Sequence, residues 1–185
     1  MITHNKVRTH TARGIVYGNT SLSTCGGDGV LNHGGTVGWN ELTDNQGNLF
    51  FTQTAGGKVI GNFIHHSFGE GVQSGGGSHS DQAEPQVFEH NVIAFLGRSA
   101  SGGLYNGFDC NGSPRGVDGA FWRNNTVFET DSAAITLENG CTNAHVENNI
   151  FDMGALRFPA HDRVNNSYLM YFVDSSHTSG TVFSH

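Results

Sequence analysis

Histidines and carboxylates that could act as acid and base lie close together between residues 65 and 84. Two histidines follow the apolar segment "VIGNFI", and further polar residues lie in or beside the loop "QSGGGSHSDQAEPQ". Histidine titrates near neutral pH, and a carboxylate complements an oxocarbenium-like transition state. These residue types predict acid–base chemistry on a glycan. The catalytic candidates of this segment are His65, His66, Glu70 and Asp81, and the substrate-binding candidates are Gln73 and His79.

A second group of candidates lies around the segment "NGFDCNGSPRGVDGAFWRNN", residues 106 to 125. Asp109 is the catalytic candidate, and Tyr105, Arg115 and Asp118 are candidates for substrate binding. Aromatic faces stack on sugar rings, while Asp and Arg bond hydroxyl or carboxylate groups. Trp122 is expected in the core instead. The two groups together predict a polysaccharide groove formed by the loops after Gln73 and Asp109.

Each group also has a purely structural interpretation. The first is then a polar surface strand beside a solvated loop, since some of the 11 histidines of the chain will cluster by chance. The second is then a turn at Gly112, Ser113 and Pro114. A metal site that joins His65 or His66 to His79 and Asp81 is chemically feasible, but the spacing matches no standard metal motif. The sequence therefore predicts no metal and no cofactor.

An internal repeat shows which elements must position these residues. A hexamer with the pattern apolar-x-x-Asn-x-apolar recurs along the chain, and from Asn40 onward its asparagines follow at steps of 22, 29, 34 and 24 residues. Steps of this size are typical of solenoid coils with loops of variable length. The hexamers are "ITHNKV" at Asn5, "VGWNEL" at Asn40, "VIGNFI" at Asn62, "FEHNVI" at Asn91, "WRNNTV" at Asn125 and "VENNIF" at Asn149.

Each hexamer is interpreted as the end of one strand, a tight turn and the start of the next strand. The residues three before and two after the Asn, such as Val59 and Ile64, should point into a core. The Asn side chain can bond turn backbone and tolerates left-handed geometry. Stacked asparagines could form an internal hydrogen-bonded ladder. A looser repeat follows in "NLFFTQ", "GEGVQS", "GGLYNGFD" and "AAITLE", and together these short strands predict an all-β solenoid.

Composition limits the function classes. The chain has 185 residues and a formal charge of −7, which argues against nucleic acid as a partner. No stretch is long and apolar enough to span a bilayer, and the amino terminus lacks the apolar segment of a signal peptide. The three cysteines lack a CxxC spacing, so a disulfide scaffold is not expected. One bridge remains open, although buried or unpaired thiols are the preferred interpretation.

The hexamers resemble a known family of repeats. Together with the way "NFIHHSFGEGVQ", "NNTVFETDSAAITLENG" and "NNIFDMG" alternate with Gly-apolar strands, they resemble the right-handed parallel β-helix of the pectate-lyase-like superfamily, and within it the carbohydrate-active β-helix repeat proteins. The resemblance implies a single-stranded right-handed solenoid over residues 1–172, with about six or seven coils and an asparagine ladder at one corner. Residues 173–185 would be a tail or terminal strand.

The resemblance does not assign a reaction. The Asn-Thr-Asp, paired Asp, Gly-His-Gly and Arg-Ile-Lys motifs of polygalacturonases are absent, and the chain has only two lysines, Lys6 and Lys58. A lyase with a Lys base and a lysine-rich uronate clamp is therefore disfavoured.

Two functions of different class remain. The first is a glycoside hydrolase or polysaccharide lyase that acts on a polysaccharide or oligosaccharide. The alternative is a non-catalytic glycan-binding, adhesin-like or tailspike-like module that self-associates through uncapped coil ends. The sequence gives no compartment, although the resemblance implies a secreted protein.

Overall fold

The structure is a computed structural model that describes residues 1–9, 11, 13–18, 32–52, 54–75, 85–97, 106–111, 117–130, 132–138, 140–152, 168–172 and 179–185. Short strands alternate with tight turns throughout these ranges. In chain order the strands are β1 (Ile2–Thr3), β2 (Lys6–Arg8), β3 (Arg13–Gly18), β4 (Asn32–His33), β5 (Thr36–Gly38), β6 (Glu41–Thr43), β7 (Gly47–Thr52), β8 (Thr54–Ala55), β9 (Lys58–Ile60), β10 (Phe63–His65), β11 (Val72–Gly75), β12 (Val87–Glu89), β13 (Val92–Ala94), β14 (Phe108–Asn111), β15 (Val117–Asp118), β16 (Phe121–Arg123), β17 (Thr126–Phe128), β18 (Ala133–Glu138), β19 (Cys141–Thr142), β20 (His145–Glu147), β21 (Ile150–Asp152), β22 (Tyr168–Phe172) and β23 (Val182–Ser184).

The strands stack into three main parallel sheets. Sheet A has the order β1-β5-β9-β12-β16-β20-β23, sheet B the order β2-β6-β10-β13-β17-β21, and sheet C the order β3-β7-β11-β14-β18-β22. Two small parallel pairs, β4 with β8 and β15 with β19, complete the arrangement. Consecutive strands lie in different sheets, so the chain winds as a parallel β-solenoid, and the all-β prediction is confirmed. No helix of the described residues is long and apolar enough to cross a membrane.

The core lies between the sheets and is built from the inward side of most of the strands of the three main sheets. Val59 and Ile64 are both fully buried, as the hexamer pattern predicts, and Trp122 is only 1% exposed. Phe88 stacks on Trp122 with ring centroids 5.2 Å apart. Because strand residues alternate between faces, the opposite face of each sheet is free for polar side chains. The fold therefore separates core positions from positions available for function.

The hexamer asparagines bond to one another from coil to coil. The backbone N–H and Nδ2 of Asn62 both donate to Asn91 Oδ1 at 3.0 Å. Asn91 makes the same two bonds to Asn125, also at 3.0 Å. Nδ2 of Asn91 in addition donates to the Val59 carbonyl oxygen at 2.9 Å. These amides satisfy turn backbone that would otherwise be buried without partners.

The left-handed residue of each hexamer turn precedes the asparagine, so the hexamer Asn does not itself use the left-handed geometry that it tolerates. The φ of the preceding residue is between 52° and 64° in all six hexamers. Left-handed backbone costs an ordinary L-residue about 1–2 kcal/mol, so the turns hold strain that the amide bonds offset. The residues concerned are His4, Trp39, Gly61, His90, Asn124 and Asn148.

A disulfide bond joins Cys110 to Cys141, whose Cα atoms are 6.3 Å apart. This result corrects the preferred interpretation of unpaired thiols and supports the single bridge that the sequence left open. Both residues are fully buried in the core. Cys110 lies on β14, and the bridge ties this strand to β19. The third cysteine, Cys25, lies outside the described residues.

Candidate functional site

The outward face of sheet C brings together residues from three neighbouring strands. Gln73 on β11 pairs in register with Asp109 on β14, and Asp109 pairs with Thr136 on β18. Their inward neighbours on the same strands, such as Phe108 and Ile135, belong to the hydrophobic core. Since successive residues face opposite sides of a strand, the three polar side chains share the outer face. Parallel strands thus place Asp109 one strand spacing, about 4.8 Å, from Gln73 on one side and from Thr136 on the other.

Hydrogen bonds fix the order of the polar side chains across this face. Nη1 of Arg13, on β3, donates to Gln73 Oε1 at 2.7 Å. Nε2 of Gln73 donates to Asp109 Oδ2 at 2.9 Å. The Gln73 amide is therefore oriented by one partner on each side, and it holds one carboxylate oxygen of Asp109 in place.

Asp109 is a buried acid among other acids. Its side chain faces away from the core, yet the residue is only 4% exposed. Burial raises its pKa from 3.8 to about 8, and the nearby charges of Glu70 and Glu138 add to this effect. The Gln73 hydrogen bond acts in the opposite direction. Because burial disfavours the charged carboxylate, Asp109 carries a proton at neutral pH.

Glu70 and Glu138 complete the acidic cluster. Burial also raises the pKa of Glu70, with the positive charge of Arg13 acting against this and the charge of Glu138 adding to it. The side chain of Glu138 lies within hydrogen-bonding reach of Asp109. Two carboxyl groups can bond in this way only if one of them holds a proton. The cluster therefore pairs a protonated carboxyl with neighbouring carboxylates.

Two buried polar atoms of the site lack partners among the described residues. Within the described ranges, no donor reaches Oδ1 of Asp109, and Oγ1 of Thr136 has no hydrogen-bond partner. Thr136 is 4% exposed and pairs in register with Asp109 on the next strand. Buried polar groups are almost always hydrogen-bonded, so exceptions of this kind point to a water molecule, an ion or a ligand as the partner. Both atoms belong to the same outward face.

Local sequence explains why these strands pack so closely. A Cβ on Gly107, directly before β14, would lie 2.5 Å from a methyl group of Val127 and 2.7 Å from the backbone oxygen of Ala134. Only glycine allows this approach. Nδ2 of Asn48 donates to the backbone oxygen of Glu70 at 2.9 Å, which positions Glu70 just ahead of β11. The acidic residues are thus held by backbone packing of the solenoid.

The structure places His65 and His66 on a different sheet from Asp109. His65 lies on β10 in sheet B, with Nδ1 2.8 Å from Nδ1 of His66 and Nε2 3.4 Å from Glu41 Oε1. Its ring also stacks on Phe63 at 4.1 Å. His66 occupies the turn with φ of 51°. The described carboxylate beside His65 is that of Glu41, which also accepts a hydrogen bond from Lys6 at 2.7 Å.

Asp118 lies on β15 and is bonded within the protein. Its Oδ1 accepts hydrogen bonds from Oγ1 of Thr142 at 2.5 Å and from Nδ2 of Asn143 at 2.7 Å. These contacts give Asp118 a structural role in joining β15 to the turn after β19. The other predicted residues, Asp81, His79, Tyr105 and Arg115, lie outside the described residues.

The loops predicted to form a groove also lie largely outside the described residues. The strands from which they leave, β11 and β14, are adjacent and parallel. Gln73 and Asp109, which begin the two predicted groove walls, therefore lie side by side.

Sequence reasoning missed Arg13, Thr136 and Glu138 as parts of this site. A usable signal was present, because the segments "GEGVQS", "NGFD" and "AAITLE" align through their core residues. That alignment puts Thr136 in register with Asp109, and Glu138 in register with Asn111. No comparable signal pointed to Arg13, because it contacts Gln73 across an intervening strand, β7.

The described residues contain no group of three or more His, Cys, Asp or Glu that could hold a metal ion. Comparisons of the chain with models of protein families, with curated proteins and with solved structures found no match.

Proposed function

We propose that this protein acts on polysaccharide as a glycoside hydrolase, with its catalytic centre on the outward face of sheet C. The observation that carries the proposal is the Asp109 carboxyl, which is 4% exposed, has no donor at Oδ1 among the described residues and has a pKa raised to about 8. A carboxylic acid that keeps its proton at neutral pH can act as a general acid. Glycoside hydrolysis requires such a group together with a second carboxylate.

The roles of the three carboxyl groups follow from their surroundings. Asp109 donates its proton to the glycosidic oxygen as the bond from that oxygen to the anomeric carbon breaks. Water attacks the anomeric carbon and loses a proton to Glu70, whose raised pKa makes it a stronger base than an ordinary glutamate. Glu138 is a positioning residue, because its charge and its contact keep the proton on Asp109. The neutral Gln73 amide orients the acid.

A lyase is less consistent with this cluster. Elimination starts with the removal of a proton by a base; Asp109 already holds a proton at neutral pH, so only Glu70 could take that role, and no described group would then use the proton of Asp109. The product of elimination is an unsaturated sugar with ultraviolet absorbance, and the product of hydrolysis is a new reducing end without it. The two reactions can therefore be separated in a single assay.

The test is incubation with a panel of neutral and acidic polysaccharides while both signals are followed. We expect reducing ends without absorbance, and at least about a 100-fold loss of rate for Asp109→Asn, the usual size of a general-acid effect. Asp44→Asn is the matched control, since Asp44 is an exposed acid in a turn. His65→Ala should also keep its activity. Absence of cleavage across the panel, or full activity of Asp109→Asn, would refute the proposal.

A second candidate function is a glycan-binding module that self-associates and has no activity. It is favoured by apolar side chains at the outer strands of two sheets, Ile150 on β21 and Val182 on β23, which are 63% and 46% exposed. Exposed apolar groups of this kind often mark contacts with a partner. Sedimentation of the purified chain tests this second function, because a monomer at micromolar concentration would refute self-association.

We also infer the finer architecture from the same repeats. The solenoid is a right-handed β-helix of the pectate-lyase-like type, with about six or seven coils and an asparagine ladder at one corner. Its support is the parallel order of the three sheets and the bonds between the hexamer asparagines. Right-handed connections are the rule between parallel strands.

A further inference from the structure

We infer that the site around Asp109 binds an uncharged glycan and rejects uronate polymers, an inference that rests on the proposed function. It assigns a substrate class and gives Thr136 the role of a substrate-binding residue. Two features of the outward face of sheet C carry it, namely the balance of charges around the site and the two buried polar atoms without partners.

The charges around the site would repel an acidic sugar. The charge of Glu138 raises the pKa of Glu70, and the charges of both glutamates raise the pKa of Asp109. A uronate would bring one more carboxylate into a partly buried region, where like charges repel far more strongly than in water. Among the described residues of this face, the cation is Arg13, and its Nη1 already donates a hydrogen bond to Gln73.

The other cationic side chains of the described residues belong to other sheets. Lys6 and Arg8 lie on β2 in sheet B, while Lys58 on β9 and Arg123 on β16 lie in sheet A. Lys6 is bonded to Glu41, and Arg123 is bonded to Glu89 at 2.9 Å. Uronate recognition normally uses Arg or Lys to pair the carboxylate. The described part of sheet C offers an acidic surface in place of such a pair.

The atoms that lack partners suit hydroxyl groups. Thr136 Oγ1 can both donate and accept a hydrogen bond, and Oδ1 of Asp109 can accept one, while the proton of Asp109 is shared with Glu138. A sugar hydroxyl likewise donates and accepts, so one hydroxyl placed between adjacent strands could satisfy both residues. A carboxylate can only accept. The hydrogen-bonding capacity of the described residues of the site therefore fits the hydroxyl groups of a neutral sugar better than a carboxylate.

The test uses the Asp109→Asn variant, which keeps the uncharged side chain of the protonated acid and should cleave at least about 100-fold more slowly than the wild-type protein. Binding is measured calorimetrically at pH 6 and low salt, with pairs of neutral oligosaccharides and uronate oligomers of the same ring configuration and linkage. We expect the neutral member of at least one pair to bind ten-fold or more tightly than its uronate counterpart. Equal or tighter uronate binding overturns the inference, and so does absence of binding by every pair.

Two further variants locate the effect. In the Asp109→Asn background, Glu138→Gln should reduce the ratio of neutral-oligomer affinity to uronate-oligomer affinity at least three-fold, because it removes a repelling charge. Thr136→Val should weaken neutral-glycan binding about ten-fold without lowering the melting temperature, since its hydroxyl has no partner to lose. A Thr136→Val variant that melts lower and binds normally would mean that the hydroxyl is structural, and would overturn its assigned role.

The outcome for binding is independent of the outcome for catalysis. Neutral-glycan binding without cleavage by the wild-type protein refutes the hydrolase and leaves the substrate class standing. Cleavage of uronate polymers in preference to neutral ones refutes the substrate class and leaves the hydrolase standing.

Discussion

Replacement of Asp109 by Asn should remove a pH-dependent loss of stability that the wild-type protein carries. The pKa of this carboxyl is raised by burial from 3.8 to about 8. The folded state therefore keeps a proton that the unfolded chain releases near pH 4. The contribution of the Asp109 side chain to the free energy of unfolding is fully present below about pH 4 and is lost as the pH rises toward 8. A rise in pKa of this size corresponds to a loss of about 6 kcal/mol at most.

The assay is thermal unfolding of both proteins between pH 4 and pH 9. For a domain of this length, 1 kcal/mol shifts the melting temperature by about 2–4 °C. We expect the Asn variant to melt near the wild-type temperature at pH 4 and at least about 10 °C above it at pH 9. The Asn side chain can still accept the Gln73 hydrogen bond, and its NH₂ group can donate to the Glu138 carboxylate.

The comparison with a matched variant isolates the effect from other titrating groups. Asp44→Asn changes an exposed carboxylate and should melt with the wild-type pH dependence. If the difference between Asp109→Asn and wild type stays constant from pH 4 to pH 9, Asp109 is ionised throughout. Asp109 would then be excluded as a general acid at neutral pH, and its burial would not make stability depend on pH.

Four substitutions or treatments test the rest of the fold. Reduction of the Cys110–Cys141 bond, which closes a separation of 31 residues, should lower stability by about 4 kcal/mol, and titration of free thiols in the unfolded, unreduced protein should find one thiol rather than three. Asn91→Leu should cost about 3 kcal/mol in denaturant melts because it leaves several buried backbone and amide groups unbonded, whereas a neutral result would show that these bonds contribute nothing net. His90→Gly should raise stability by about 0.5–1 kcal/mol by relieving left-handed strain at an exposed position; no gain would place the strain elsewhere. Gly107→Ala should destabilise by about 2 kcal/mol or more through overpacking, and unchanged melting would contradict the close contact at β14.

The sequence was sufficient for the fold class because the core repeats. The apolar positions of the hexamer are occupied on every coil, so Val59, Ile64 and Trp122 could be assigned to the core from spacing alone. The position of the left-handed residue, directly before the Asn, was not evident from the sequence, because this position holds His, Trp, Gly or Asn in different hexamers. The disulfide was left open but was not the preferred interpretation of the sequence. Cys110 and Cys141 are distant in sequence and become neighbours only when β14 and β19 are stacked in the fold.

The site was predicted only in part, for a related reason. Glu70, Gln73 and Asp109 could be selected as polar residues near short strands. Their relation to Thr136 and Glu138 depends on the register between β11, β14 and β18, and a shift of one residue would turn each side chain to the other face. His65 and His66 share a segment with Glu70, yet the turn at His66 sends the chain into another sheet. Proximity in sequence was therefore a poor guide to proximity in space.

The register also explains why the site can be tested without loss of the fold. The core side chains of β14 and β18 alternate with Asp109 and Thr136, so substitutions on the outward face leave the hydrophobic packing unchanged. A buried polar atom without a partner costs stability, whereas an apolar group of the same shape does not. Natural proteins keep such a cost mainly where function requires it. If Thr136→Val gains stability while glycan binding falls, the hydroxyl is present for a ligand. The carboxyl next to it, with its unbonded Oδ1 and its raised pKa, then has the same explanation.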